Sequence, residues 1–497
     1  GLHATGVVTA TSFAGDGRGL TGTNRTISAV ASGSLSNGST VIINTDGTVS
    51  VIETTDPGTP TFGSATVFES ANTQETAATF DTANGKVVIA YRDNGNSNYG
   101  TAIVGTVSGT SISFGSAVVY ASSASYDPAL TYDSTNGKVV IAYRDSGNSQ
   151  YGTAIVGTVS GTSISFGSAV VFESADTRDA SAIFDSTNNK VVITYRDNGN
   201  SQYGTAIVGT VSGTSISFGS AVVFESAASH NSAATFDSSN GKVVIAYRDD
   251  GNSYYGTAIV GTVSGTSISF GTPVVFNSAT TTQIGAGFDS SNGKVVIAYR
   301  DGGNSEYGTA VVGTVSGTSI SFGTPVLFTD SDGRFNTVTF DSNTNRIIIS
   351  YYDDGNSNYG TAVEGSVTGT AVTFGSPVVF ESADIGDKSA TFDSTNNKVV
   401  IAYNDNGNSA YGTAIVATST TSTNLTSENF IGFSDAAYSD GDTATVQVVT
   451  ALDDAQSGLT TGSKHYVQND GTLSTTAGSP SVLAGTALSD TEILVKQ

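Results

Sequence analysis

Short apolar runs, separated by Asn-Gly and Ser-Gly turns, repeat along most of this chain at a constant spacing of 52 residues. In the first copy, a short run at residues 77–80 is followed by residues 87–93, which begin with the unbroken run VVIA. Two more runs follow at residues 101–107 and 112–120. An unbroken apolar run is typical of a strand buried on both faces, and Asn-Gly favours a hairpin. The pattern therefore predicts four antiparallel strands per copy, A to D, which is one blade of a β-propeller.

The number of copies follows from a Phe/Tyr-Asp pair at the end of each A strand. It occurs seven times, at Phe80-Asp81, Tyr132-Asp133, Phe184-Asp185, Phe236-Asp237, Phe288-Asp289, Phe340-Asp341 and Phe392-Asp393. The last copy lacks a D strand, whereas an unmatched D strand at residues 61–68 precedes the first A strand. This offset predicts an all-β ring of seven blades, closed by residues 61–68 so that no sheet edge is free. Eight blades are the alternative, because residues 35–53 also have a hairpin pattern.

Three regions are predicted along the chain. Residues 1–60 form a Gly/Thr/Ser-rich N-terminal attachment segment with a β-hairpin, and residues 61–419 form the β-propeller. Residues 424–497 form a small C-terminal β module with a turn at Asn469-Asp470-Gly471. A Ser/Thr stretch at 418–423 is the expected linker.

Composition excludes several classes of function. A net charge of −24 repels phosphate backbones and anionic membranes, so we expect no nucleic-acid partner. No apolar run reaches the roughly 18 residues that span a bilayer, so we expect no membrane insertion. The absence of cysteine excludes disulfides and thiol chemistry. Because the chain begins at Gly1, shows no signal-peptide pattern and contains no methionine, we expect it to be processed or part of a longer protein.

The loop between strands B and C repeats Asp-x-Gly-Asn-Ser in every copy, first at Asp93. Alternating Asp and Asn oxygens around a glycine can bind Ca²⁺, but Tyr-Gly stands where a calcium loop needs a bidentate acidic residue. We therefore expect Asx-type turns, with Ca²⁺ at these loops as the alternative and no other cofactor or metal.

A Tyr-Arg-Asp triplet ends strand B in five copies, first at Tyr91-Arg92-Asp93. Arginines and tyrosines also serve in sialidase-type propellers, but such a site needs unlike groups converging once. Arginines repeated at equivalent positions fit a structural role instead, pairing with Asp or stacking on Tyr. The histidines, His3, His230 and His465, have no metal-ligand spacing. We therefore predict no enzymatic activity and no catalytic residues.

The connections from strand D to the next strand A differ almost completely between copies, although the strands barely vary. They occupy residues 69–76, 121–128, 173–180, 225–232, 277–284, 329–336 and 381–388. In a four-stranded blade these connections share a face with the B–C loops, so this face is predicted to recognise a sugar polymer. The candidate binding residues are Tyr126, Arg178, His230, Arg334 and Lys388. Drift of exposed loops is the alternative explanation.

Three regions together resemble virion proteins. GVVTATSFAGDGRGLTG (6–22) resembles a motif of bacteriophage tail-fibre and other appendage proteins, especially marine ones. The AYRDxGNSxYGTAIVGTVSGTSISFG repeats are similar to arrays in structural proteins of cyanophage-like viruses. Residues 424–441 and 458–497 resemble a terminal module of the same proteins. The resemblance implies a virion location, other virion proteins as partners, and a homo-oligomer, a trimer by analogy with phage fibres.

These observations predict a phage virion structural protein, a tail or capsid fibre or appendage. Its β-propeller would bind host-surface glycan or act as a structural spacer. A secreted or cell-surface bacterial adhesin is the alternative, and a glycoside hydrolase-like propeller is third.

Overall fold

The computed structural model describes residues 25–55, 57–420, 422–478 and 480–496. The predicted attachment motif at 6–22 and His3 lie outside the described residues. The chain divides into two compact units. The first, the ring unit, is Asp56–Thr421, and the second, the small unit, combines the described residues up to Thr55 with those from Ser422 onward.

The innermost elements of the ring unit are seven strands of sixteen residues, which we call the long strands. They are Thr66–Asp81, Val118–Asp133, Val170–Asp185, Val222–Asp237, Val274–Asp289, Val326–Asp341 and Val378–Asp393. Each is followed by a B strand. These are Lys86–Asp93, Lys138–Asp145, Lys190–Asp197, Lys242–Asp249, Lys294–Asp301, Arg346–Asp353 and Lys398–Asp405.

Two further kinds of strand complete each copy. The C strands are Tyr99–Ser108, Tyr151–Ser160, Tyr203–Ser212, Tyr255–Ser264, Tyr307–Ser316, Tyr359–Thr368 and Tyr411–Thr418. The short strands are Thr61–Phe62, Ser111–Phe114, Ser163–Phe166, Ser215–Phe218, Ser267–Phe270, Ser319–Phe322 and Ala371–Phe374. Single 3₁₀ turns follow six of the B strands, at Asn94–Asn96, Ser146–Asn148, Asn198–Asn200, Asp250–Asn252, Asp354–Asn356 and Asn406–Asn408.

Each long strand is shared by two neighbouring copies. Val118–Asp133 first pairs with the C strand of its own copy, with Val119 opposite Thr101. After a shift of register it pairs with the next B strand, with Tyr126 opposite Arg144. The variable connections, predicted as loops, therefore lie within continuous strands that contain bulges. Because the residues of these connections are polar and differ between copies, the sequence pattern did not indicate an extended structure there.

The sheet closes on itself. The last C strand, Tyr411–Thr418, pairs with Thr61–Phe62 and with the start of the first long strand, as predicted for residues 61–68. All strands of the ring unit join in one sheet of 28 strands. The described chain is thus nearly all-β, and its repeated strand units form a ring-like sheet without a free end.

The B strands form the core of the ring unit. In the first copy, Val87, Val88, Ile89 and Ala90 are fully buried, as the unbroken apolar run predicts. Aromatic contacts join successive copies: the ring centroid of Phe224 lies 5.2 Å from that of Tyr247 and 5.8 Å from that of Phe270. The same pair of contacts recurs around the ring, so an apolar layer lies between neighbouring copies.

The small unit contains twelve short strands among its described residues. They are Thr26–Val30, Thr40–Ile43, Val49–Val51, Thr54–Thr55, Ser422–Thr423, Phe430–Ser434, Thr443–Gln447, Leu452–Asp453, Lys464–Val467, Leu473–Ser474, Val482–Ala487 and Ile493–Val495. Strands from both sides of the ring unit share one five-stranded sheet. The hairpin predicted at residues 35–53 pairs there with Phe430–Ser434. The boundaries predicted at residues 60 and 424 remain predictions. The helices in the described residues are single 3₁₀ turns, too short to cross a bilayer.

Candidate functional site

The 3₁₀ turns and the variable segments of the long strands meet on one side of the ring unit, which we call the variable face. Asn94 Nδ2 donates to Asn72 Oδ1 at 2.9 Å, and Asn198 Nδ2 donates to Asp176 Oδ2 at 2.6 Å. Each bond joins a 3₁₀ turn to a variable segment. The structure therefore brings together the two sets of residues that the sequence placed on one face.

The Asp-x-Gly-Asn-Ser loops are held by their own aspartates. Asp197 Oδ1 accepts hydrogen bonds from the backbone N–H groups of Gly199 and Asn200, at 2.9 and 3.1 Å. Ser201 then takes a left-handed conformation with φ +54° and ends the turn. These are Asx-type turns, in which the side-chain carboxylate accepts hydrogen bonds from backbone N–H groups. Among the described residues, no three His, Asp or Glu side chains are grouped so that they could hold a metal ion.

The arginines of the Tyr-Arg-Asp triplets link neighbouring copies. The Tyr126 ring lies between two guanidinium groups, with Arg92 at 4.6 Å and Arg144 at 4.5 Å from its centroid. Arg144 also forms ion pairs of 3.5 Å with Asp127 and with Asp176 of the next copy. Such cation–π and ion-pair contacts give these arginines the structural role expected from their repetition.

His230 lies in a comparable cluster between two copies. Its Nδ1 is 2.9 Å from the guanidinium of Arg196, and its Nε2 is 3.3 Å from Asp250 Oδ2. Burial, and then the charge of Arg196, lower the pKa of His230. The lowered pKa favours the neutral imidazole, which in one tautomer accepts from Arg196 at Nδ1 and donates from Nε2 to Asp250.

Arg334 and Arg178 are more exposed than Tyr126 and His230. Arg334 pairs with Asp332 at 2.7 Å, and Asp332 also accepts from Arg300. Burial raises the pKa of Asp332, but the hydrogen bonds from the two arginines outweigh it and lower the pKa overall. Arg178 has a side chain 45% exposed and pairs with Asp176 at 3.3 Å. Of the predicted binding residues, Arg178 thus has the side chain most accessible to a ligand.

Lys388 differs from the other four. Tyr126, Arg178, His230 and Arg334 occupy one repeat position in four copies, so they are distributed around the ring and do not form one pocket. Lys388 lies two positions further along its strand and is buried. Its Nζ donates to the backbone oxygen of Phe335 in the preceding copy. Burial lowers the pKa of Lys388 to about 7, although Asp387 acts in the opposite direction.

The inner wall of the ring lines an open cavity of about 350 Å³, which we call the axial cavity. Three consecutive residues of each long strand line it: 76–78, 128–130, 180–182, 232–234, 284–286, 336–338 and 388–390. A second cavity of about 510 Å³ lies toward the A–B turns and is lined by Phe80, Phe236, Phe288, Phe340 and Phe392. Neither cavity was predicted from the sequence.

Sequence analysis missed three further residues. Asn336 lines the axial cavity at the repeat position of Lys388, where other copies have Thr76, Pro128, Ala180, Ser232 and Ile284. An alignment of the seven copies would have shown that Asn336 differs from the residues at this position in the other copies. Tyr254 and Phe335 are the large aromatic side chains exposed on the variable face, by 50% and 39%. The residues at these two repeat positions differ among the copies, so the exposure of Tyr254 and Phe335 could not be inferred from sequence.

Four carboxylates precede the residues that line the axial cavity: Glu75, Asp127, Asp179 and Asp387. Three of them pair with arginine; Glu75, for example, lies 3.3 Å from Arg92. Burial, and then the nearby Asp127, raise the pKa of Glu75 to about 7 despite Arg92. The variable-face mouth of the cavity is therefore surrounded by acidic groups that arginines partly neutralise.

Comparisons of the sequence find no matching family model and no matching curated protein. Comparisons of the structure do find similar proteins. The BP39L lectin from Burkholderia pseudomallei aligns at a TM-score of 0.54 and 10% identity, over 72% of this chain and 99% of the lectin. A protein of unknown function from Dyadobacter fermentans aligns at a TM-score of 0.47 and 13% identity, over 73% of this chain and 99% of its own.

The SapL1 lectin, solved with alpha methyl fucoside, aligns at a TM-score of 0.39 and 13% identity, over 63% of this chain and 98% of its own. Of these three structures, the BP39L lectin aligns with a TM-score above 0.5. Its identity is low, so the likeness is one of fold. A lectin is therefore among the proteins that share the fold of this chain.

Proposed function

We propose that this chain is a non-enzymatic carbohydrate-binding protein whose ring unit is a seven-bladed β-propeller. Seven B strands and seven C strands, closed by the pairing of Tyr411–Thr418 with Thr61–Phe62, support the blade count. The fold of the BP39L lectin supports the class of ligand. Eight blades would require a further four-stranded copy in the same sheet. An experimental structure of the ring unit tests the count directly.

One observation carries the assignment of carbohydrate binding to the variable face. At one repeat position the seven long strands present Gln74, Tyr126, Arg178, His230, Thr282, Arg334 and Gly386 on a framework that hardly changes. Such a face offers hydrogen-bonding groups of many kinds. Tyr254 and Phe335 add exposed aromatic surface, against which the apolar faces of sugar rings pack. This combination suits a polyhydroxylated ligand better than an apolar one.

The test is binding to a panel of immobilised neutral and acidic polysaccharides. Tyr254→Ala and Arg178→Ala change exposed side chains and should leave the thermal midpoint within about 1 °C, because exposed side chains contribute little to folding. We expect either or both to weaken binding. Lys242→Ala, beside an A–B turn on the opposite side, is the matched control and should bind normally. The proposal fails if no polysaccharide binds the unaltered chain.

A glycoside hydrolase is distinguished in the same samples. Release of reducing ends from any bound polysaccharide would show catalysis and overturn the non-enzymatic assignment. Neither cluster around His230 or Arg334 offers two carboxylates free of arginine or histidine partners, which glycoside hydrolysis uses as acid and nucleophile.

For the location we propose a virion appendage, with other virion proteins as partners and a homotrimer as the assembled form. The sequence resemblance of residues 6–22 and 424–497 to phage appendage proteins supports this. Genes for tail or capsid proteins beside the gene of this chain would agree with it. Genes for secretion or cell-wall attachment there would favour a bacterial adhesin instead. Light scattering of the purified chain tests the trimer.

A further inference from the structure

The point at which the ring unit closes, which we call the seam, is joined less extensively than the corresponding points of the other copies. At the seam the last C strand pairs with Thr61–Phe62 through two residue pairs. In each of the other six copies the C strand and the following short strand form four such pairs, and a turn joins the two strands. The strand ladder at the seam therefore ends two residue pairs early, between two separate segments of the chain.

Thr59 and Thr420 occupy the positions at which the last of the four pairs would form. The backbone N–H of Thr59 donates to Thr420 Oγ1 at 3.0 Å, and that hydroxyl group donates to the backbone oxygen of Thr59 at 2.6 Å. The equivalent residues of another copy, Ser264 and Ser267, are strand partners across one turn. At the seam a side chain thus makes the bonds between the two segments, and the backbone N–H of Thr420 needs a different acceptor.

That acceptor is a carboxylate found at this repeat position in one copy. Glu364 is fully buried, and its Oε2 accepts from the backbone N–H of Thr420 at 3.2 Å. The other six copies have valine there: Val104, Val156, Val208, Val260, Val312 and Val416. Glu364 lies on the C strand of the copy that precedes the seam. The replacement of valine by glutamate therefore coincides with the place where the turn between the C strand and the short strand is missing.

A second change in the same copy balances the charge of Glu364. Arg346 replaces the lysine of the other six copies, and its Nε lies 3.7 Å from Glu364 Oε1. A buried carboxylate without a cationic partner would strongly destabilise the protein. A buried ion pair, by contrast, is often no more stabilising than the apolar residues that could replace it. Overall stability alone therefore does not account for a pair that occurs beside the seam.

We propose that Glu364, paired with Arg346, is a latch that holds the segment around Thr420 in place and keeps the ring closed at the seam. The latch replaces the covalent turn that joins the same two strands in the other copies. It slows local opening of the seam and contributes little to the overall stability of the ring unit. This inference is independent of any ligand and goes beyond the proposed function.

The test is hydrogen exchange measured by mass spectrometry on the full chain. The double variant Arg346→Lys/Glu364→Val introduces the residues that the other copies have, so the ring should form and the melting temperature should not fall. Losing a hydrogen bond to a charged acceptor should accelerate exchange in Tyr411–Thr418 about tenfold. The equivalent strand Tyr203–Ser212 has a covalent turn and serves as the internal control, with exchange changed less than twofold.

Two further variants separate the latch from a general effect of charge. Glu364→Gln keeps an oxygen acceptor and should accelerate exchange at the seam less than the double variant does. Lys190→Arg/Val208→Glu places the same ion pair beside Ser264, whose strand partner is present, and should lower the melting temperature. Unaltered exchange at the seam in the double variant would overturn the latch. Equal acceleration in both strands, or an unaltered melting temperature of the Lys190→Arg/Val208→Glu variant, would also overturn a role tied to the seam.

Discussion

Replacing Lys388 by Met should change how the stability of the ring unit depends on pH. Burial lowers the pKa of Lys388 from 10.5 to about 7 in the folded chain. Between these two values the unfolded chain binds more protons at this residue than the folded chain does. The free energy of unfolding of the unaltered protein therefore contains a contribution that rises with pH across this window and is constant below it.

The size of the contribution follows from the same two values. A difference of about 3.5 between the two pKa values corresponds to roughly 5 kcal/mol over the whole window, or about 1.4 kcal/mol for each pH unit. Methionine fills a similar volume without a titrating group. The stability of Lys388→Met relative to the unaltered chain should thus be highest at pH 7 and below, and fall by roughly 3 kcal/mol between pH 7.5 and 9.5.

The assay is scanning calorimetry of both proteins at pH 7.5, 8.5 and 9.5. For a unit of this size, about 3 kcal/mol corresponds to a change of roughly 3 to 4 °C in the difference between the two melting temperatures. The contributions of the other titrating groups to stability are the same in both proteins and cancel in that difference. Ser389→Ala alters the next wall residue without changing a charge. The difference between its melting temperature and that of the unaltered chain should therefore not vary with pH. If the melting-temperature difference between Lys388→Met and the unaltered chain did not vary with pH, the lowered pKa of the buried Lys388 amine would be refuted.

Three further changes have defined outcomes. Asp237 is buried and accepts three hydrogen bonds from its A–B turn, so Asp237→Ala should cost about 3 kcal/mol in urea unfolding. Asp237→Asn keeps one oxygen and should cost clearly less; equal losses would contradict this. Gly115→Ala should lower the melting temperature by several degrees, because its Cβ would lie 1.9 Å from the backbone oxygen of Thr162, whereas Gly109→Ala, with open space, should cost about 1 kcal/mol. Deleting residues 57–68 exposes the edge of the last C strand and should cause association in light scattering; a folded monomer would count against closure.

The strand framework could be predicted because its signals are local. The unbroken VVIA run gave residues 87–93 for a strand that spans Lys86–Asp93, and the unmatched D strand at residues 61–68 gave the pairing that closes the sheet. The D–A connections could not be predicted as strands. Their divergent polar residues carry no alternation, and their extended structure depends on pairing with two different neighbours.

The candidate site was predicted only in outline. Divergence between copies identified the variable face, but it could not distinguish side chains that bridge copies, such as Tyr126 and His230, from exposed ones such as Tyr254. That distinction depends on the distance between neighbouring strands. The axial cavity could not be predicted for a related reason. Its wall consists of one short segment from each of seven copies, and the sequence of a single segment does not indicate that it lines a cavity.

The small unit is built from chain on both sides of the ring unit, and this has an evolutionary consequence. The first and last strands of the ring unit are paired, with Thr61 opposite Thr418, so the chain enters and leaves it at neighbouring points. A domain whose ends adjoin can be inserted into a host domain, or removed, as a cassette. Recombination could therefore exchange whole ring units while leaving the sequence of the flanking unit unaltered.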